Sequence, residues 1–288
     1  MRKPYPDLLP SRPGVALAAT HRDAEGRWMP VVERRLLLLA SRYTRLVVLC
    51  ARDTLPAAIR QLQDAGAQVA VDDGPPGPER MGHGRRQALG MALEAGAEHI
   101  HFCDLDRALY WAGRYPAGLD QVLREVQAYD FLVLGRTPEA FASHPPDQTL
   151  TESLANTVFH LATGLDWDIA AASRGLSARA ARYLLDHSQE ATFGTDAEWP
   201  LLLRHAGAFR VGYQECDGLG FETADAYPDE VAAAGGPEAW RLQRSRDPAV
   251  WVRRLELATA IARAAVETQQ RLQAGQRRAP AHRQGRCL

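Results

Sequence analysis

Apolar residues in the first half of the chain come in short unbroken runs, each followed by a longer stretch of mixed periodicity. Val15 to Ala19 follows Pro13-Gly14 and gives way to Thr20-His21. Arg45 to Cys50, Gln68 to Val71 and His99 to Cys103 repeat the pattern, ending at Arg52-Asp53-Thr54, Asp72-Asp73 and Asp104. Aliphatic runs of this length without polar alternation predict strands buried on both faces. The intervening segments 29–42, 56–65 and 79–95 predict helices, the last two closed by Gly66 and Gly96. Strand and helix in alternation predict βαβ units, a parallel sheet and helices on both of its faces. Right-handed crossovers bring the strand C-termini to one edge, where ligands bind in open α/β sheets. His21, Asp53, Asp72, Asp73, Asp104 and Asp106 are therefore expected along one cleft.

The second half is less regular. Phe131 to Thr137 predicts a fifth strand, and 149–162 a helix with Thr149 and Glu152 as a capping box. A strand at 169–172, helices at 177–187 and 196–206, and a strand at 209–213 follow. Residues 248–273 read as a long amphipathic helix, with Val250, Leu257, Ile261 and Ala265 on one face. The expected organisation is one α/β domain over 1–227, a C-terminal helical appendage over 228–273, and a disordered basic tail over 274–288. That tail sets Arg277, Arg278, Arg283 and Arg286 among Gly, Pro and Gln, and its one membrane role would be weak peripheral contact with acidic head groups.

Composition narrows the function classes. With 46% hydrophobic residues over 288, the chain can bury a large core. A formal net charge of −1 provides no general attraction for nucleic acid, so no nucleic-acid partner is expected. The cysteines at 50, 103, 216 and 287 have no CxxC spacing, which argues against a zinc knuckle or a disulfide framework. With no apolar h-region after Met1, and with apolar runs such as Leu36 to Ala40 far too short to span a bilayer, a cytoplasmic location is expected.

The chemistry concentrates at Asp104-Leu105-Asp106. Two carboxylates spaced i, i+2 at a strand end reach one ion if the chain bends there. Mg²⁺ or Mn²⁺ takes oxygen ligands from one or two carboxylates plus substrate phosphates. Such an ion stabilises the charge that builds on a departing diphosphate.

The stretch from Gly82-His83-Gly84-Arg85-Arg86-Gln87-Ala88-Leu89-Gly90 through Ala92 to Ala97 and into His101-Phe102-Cys103-Asp104-Leu105-Asp106 resembles GT-A-fold glycosyltransferases, family 2 and its relatives. There a Gly-rich turn, a basic helix start and a small-residue helix precede the DxD strand. The resemblance follows element order over residues 13–220 and is specific over 82–106. It implies a GT-A (Rossmann-like), mainly parallel sheet and a metal-dependent transfer of sugar from a nucleotide-diphosphate sugar to an unknown sugar, lipid or small-molecule hydroxyl. Thr20 and His21 would border the base, and Asp53 and Asp73 would bind base or ribose. Arg85 or Arg86 would lie near the diphosphate, where a guanidinium fork suits phosphate oxygens. Asp104 would face ribose or sugar and join Asp106 at the metal.

The segment Phe193-Gly194-Thr195-Asp196-Ala197-Glu198 resembles the acidic stretch that supplies a catalytic base in inverting enzymes of this fold, with Asp196 or Glu198 in that role. Asp217, or alternatively His144, is the expected third metal ligand. Trp167 is either a sugar-stacking or a core residue, and His99, His101 and His160 are read as structural. Two other functions fit the same triplet: a haloacid-dehalogenase-like phosphatase with Asp104 as nucleophile, and an inactive GT-A domain that only binds nucleotide.

Overall fold

The computed structural model describes residues 14–278. Strand β1 (Val15–His21) leads into helix α1 (Met29–Ala40), then β2 (Leu46–Cys50), α2 (Pro56–Asp64), β3 (Gln68–Val71), α3 (Met81–Glu94) and β4 (His99–Phe102). Two helices follow at once, α4 (Leu105–Arg114) and α5 (Pro116–Val126), in a region where the hydrophobic pattern predicts no element. Strand β5 (Phe131–Arg136), α6 (Pro138–Ala142), α7 (Pro146–Thr163), β6 (Ser173–Ser177), α8 (Ala178–His187), α9 (Thr195–Ala206) and β7 (Val211–Cys216) complete the sheet. Short helices α10 (Pro228–Ala233) and α11 (Pro237–Arg244) precede the long α12 (Pro248–Arg278).

The seven strands form one sheet in the order β3-β2-β1-β4-β6-β5-β7. All pairings are parallel except those of β6, which runs antiparallel between β4 and β5. The fold is α/β with a mostly parallel sheet between helices. One core packs α3, α8, α9 and α12 on one face, through residues such as Leu89, Leu184, Trp199 and Ile261. The other packs α1, α4 and α5 through Val32, Leu109 and Leu123. Among the described residues, no helix is long and apolar enough to cross a membrane.

Three sequence expectations are corrected. Residues 169–172 are not a strand. Asn156 Oδ1 accepts hydrogen bonds from the backbone N–H groups of Ile169 and Ala170, at 3.0 and 3.3 Å, which diverts those donors from a ladder. The chain makes a 3₁₀ turn there, leaves it at Ala172 with φ 54°, and begins β6 at Ser173. Thr149 and Glu152 form no capping box. Pro146 starts α7 earlier, and Glu152 instead pairs with the Arg136 guanidinium at 2.7 Å. The C-terminal helix is no appendage. Ala258, Ile261, Ala264 and Ala265 of α12 are buried in the same core as α3 and α9. Helix α12 also runs on to Arg278, so the expected basic tail begins inside it; residues 279–288 lie outside the described residues.

Candidate functional site

The C-terminal ends of β1, β2 and β3, with the segment after β4, open on a cleft of about 450 Å³. Thr20, His21, Asp72, Asp104 and Asp106 line it, as do Pro75 to Pro78, Gly84 at the start of α3, Phe193, and Arg253, Glu256 and Leu257 of α12. Parallel neighbours make this convergence: β1 lies between β2 and β4, so their ends are adjacent. The walls are largely apolar, with polar groups gathered at the sheet edge, the usual build of a small-molecule site.

Thr20 donates its hydroxyl to Asp104 Oδ1 at 2.5 Å, fixing that carboxylate at the cleft floor. His21 is 7% exposed, and its Nε2 is buried without a hydrogen-bond partner among the described residues. Burial lowers its pKa to about 4, against the pull of Asp104, so the imidazole is neutral at neutral pH.

Asp106 opens the first turn of α4 and accepts from the backbone N–H of Arg107 at 2.7 Å. Its carboxyl pKa is pushed up to about 8, first by burial and then by the negative charges of Glu222 and Asp104. Glu222 is itself buried, at 7% exposure, with Oε2 unpartnered. Arg107 is the local counter-charge. Burial opposes its ionisation, but Glu222, Asp104, Glu152 and Asp106 together outweigh that and raise its pKa. Asp106 thus feels the negative charges of Glu222 and Asp104, with the Arg107 guanidinium as the positive charge that offsets them.

A hard divalent cation suits this arrangement. A crowded carboxyl whose ionised form is disfavoured, together with an unpartnered buried carboxylate oxygen, is relieved by positive charge. Among the described residues, no group of three His, Cys, Asp or Glu side chains forms a ready-made cage.

The remaining expected residues divide sharply. Asp53 is held by Arg22 through three donor contacts of 2.7 to 3.1 Å and does not line the cleft. Asp73 is exposed. Its neighbour Asp72 lines the cleft instead, held by Arg80 at 3.0 Å and by the Gly74 N–H. Arg85 is 1% exposed, donates to Thr195 Oγ1 and Asp196 Oδ1, and lies over the rings of Phe102 and Phe193. Arg86 donates to Ser188 Oγ and the Glu190 carbonyl. The arginines expected near the diphosphate are thus engaged inside the fold.

Asp196 pairs with Arg85 at 2.8 Å and Arg174 at 3.2 Å, and none of these three lines the cleft. Burial, only partly offset by Asp196, lowers the Arg174 pKa to about 10. Glu198 accepts from Ser188 Oγ, the Gln189 and Glu190 N–H groups and Arg271, pinning the loop before α9. The structure brings neither acid to the cleft. Asp217 is exposed and accepts from Thr137 Oγ1 at 2.8 Å, beside Trp111 and Tyr115. Five residues further on, Glu222 is buried and its charge bears on Asp106. His144 is buried at 4% exposure and packs on Phe221, with Nδ1 facing the Ala140 carbonyl. Trp167 is stacked between Phe159 and Tyr213, a core role. His101 bridges Tyr43 and Ser173 in the interior.

Arg253, which lines the cleft, and Glu222, whose charge acts on Asp106, are the groups the sequence reading passed over, whereas Asp72 lies along the cleft as its strand end implied. Glu222 and Arg253 carry no spacing signal toward the acidic triplet. No protein-family model matches the chain, and comparison with curated proteins finds no match.

Proposed function

We propose that this protein is a metal-dependent glycosyltransferase of GT-A type, moving a sugar from a nucleotide-diphosphate sugar to an acceptor hydroxyl. The observation that carries the reading is the meeting of Thr20, His21, Asp104 and Asp106 in one cleft, with the negative charge of the buried Glu222 acting on Asp106. Asp104 and Asp106, backed by Glu222, would hold Mg²⁺ or Mn²⁺. When bound, that ion neutralises the diphosphate and stabilises its charge as it departs. Thr20 keeps Asp104 oriented toward the ribose or sugar, and the neutral His21 ring offers Nε2 to a polar edge of the base. The apolar walls, including Phe193 and Leu257, exclude water from the reacting bond. The reading rests on the donor half of the site. With Asp196 and Glu198 committed to internal pairs, it assigns no residue to the acceptor proton.

The test is a thermal-shift and calorimetric panel of nucleotide-diphosphate sugars with and without Mn²⁺. One donor should stabilise the protein only when the metal is present, and Asp106→Ala should abolish the effect. Binding that ignores both metal and mutation would sink the assignment.

A further inference from the structure

We infer that Arg253 of α12 is the guanidinium that receives the diphosphate of the bound nucleotide, so that the C-terminal helix forms part of the donor site. The inference rests on the glycosyltransferase reading above and names a residue within it.

The arginines around the cleft can be sorted by what they already hold. Arg22 grips Asp53, Arg80 grips Asp72, Arg85 grips Asp196, and Arg86 serves Ser188 and the Glu190 carbonyl. Arg107 donates to the Ala171 carbonyl and balances the acidic cluster. Arg253 lines the cleft, is exposed, and has no hydrogen bond or ion pair among the described residues.

Charge balance calls for such a group. Asp104, Asp106 and Glu222 are matched by one divalent ion and Arg107. A diphosphate then adds at least two further negative charges, with no committed cation left to meet them. A guanidinium on the facing wall meets phosphate oxygens through paired N–H donors.

Helical geometry presents Arg253 correctly. Residues 253, 256 and 257 are spaced i, i+3, i+4 and share one face, and all three line the cleft. The adjacent face is fixed to the domain. Arg254 donates to Gln148 Oε1 at 2.9 Å and approaches Asp147 at 3.7 Å, while Ala258 and Ile261 are buried in the core. The helix is therefore anchored one residue away from the free arginine. Glu256, on the same face, repels an anion that lies too far along the helix, which confines the phosphates to the Arg253 end.

The experiment is calorimetry on full-length protein, using Mn²⁺ alone, the matching nucleoside, and whichever of the uridine, guanosine or adenosine diphosphates binds the parent protein best. Arg253→Gln should weaken the Mn²⁺-diphosphate complex about tenfold or more. It should leave the nucleoside, Mn²⁺ alone and the melting temperature unchanged, and Arg253→Lys should restore part of the loss. Equal diphosphate affinity in Arg253→Gln overturns the role of Arg253 and leaves the glycosyltransferase reading standing. A parent protein that binds no diphosphate with Mn²⁺ overturns both.

Discussion

Thr20 and Asp104, 84 positions apart in the chain, are joined by a 2.5 Å hydrogen bond across the ends of two adjacent parallel strands. The bond orients one of the two acids of the triplet before any ligand arrives. Thr20→Val keeps the shape of the side chain and removes the donor. Its expected effect is an approximately tenfold loss of Mn²⁺-dependent nucleotide affinity by calorimetry, with no more than about 1 kcal/mol lost in urea unfolding. Unchanged affinity would show that the bond plays no part in binding.

Asp106 has a pKa pushed up to about 8 in the metal-free fold by burial and the nearby negative charges, against an ordinary aspartate value of 3.8. Between these two pH values the folded chain holds a proton that the unfolded chain releases. Stability of the metal-free protein should therefore fall as pH rises from about 4 to about 8. Asp106→Asn should remove this dependence and stabilise the metal-free protein at pH 8 by roughly 1–3 kcal/mol. The gain should vanish near pH 4. Metal affinity should move the opposite way and strengthen as pH rises through about 8, because the proton must leave first. Denaturation in chelator and Mn²⁺ titration, each across that pH range, check the two signs.

Asp196 lies between Arg85 and Arg174, all three within 3% exposure. Asp196→Asn leaves two buried guanidiniums without their counter-charge and should cost about 3–5 kcal/mol in chemical denaturation. Nucleotide binding by the fraction still folded should be unaltered. Full stability combined with lost turnover would instead return Asp196 to the role of catalytic base.

Gly82 and Gly84 should respond in opposite ways to alanine. A Cβ on Gly82 would sit 2.2 Å from the Glu190 carbonyl oxygen, a backbone atom that cannot step aside cheaply. Gly82→Ala should destabilise by about 1–3 kcal/mol through overpacking. At Gly84 the nearest atom is Leu49 Cδ2, at an ordinary 3.6 Å, so the added methyl fits and favours the helix. Because Gly84 lines the cleft, its cost should appear in ligand affinity. Urea midpoints and calorimetry on the two variants separate the effects.

Local pattern alone determined much of the amino-terminal half. Unbroken aliphatic runs, glycine stops and the fixed hand of the crossovers place β1 to β4 and the helices between them, and with them Thr20, His21, Asp104 and Asp106 on one edge. Each of these signals acts within a few residues or is a general property of L-amino-acid chains. Tertiary structure decided what depends on partners distant in sequence. The 3₁₀ turn that replaces the expected strand at 169–172 follows from Asn156 capturing two backbone donors, and the burial of Asp196 and Glu198 follows from Arg85, Arg174 and Arg271 arriving from three other elements. The action of Glu222 on Asp106 depends on the path of the chain after β7, and the place of Arg253 in the cleft on how α12 packs against the domain. Charge type and spacing say that an acid or an arginine can do chemistry. Whether it is free to do so depends on which opposite charge the fold sets beside it, and the chain supplies arginines in excess of the few that reach the cleft.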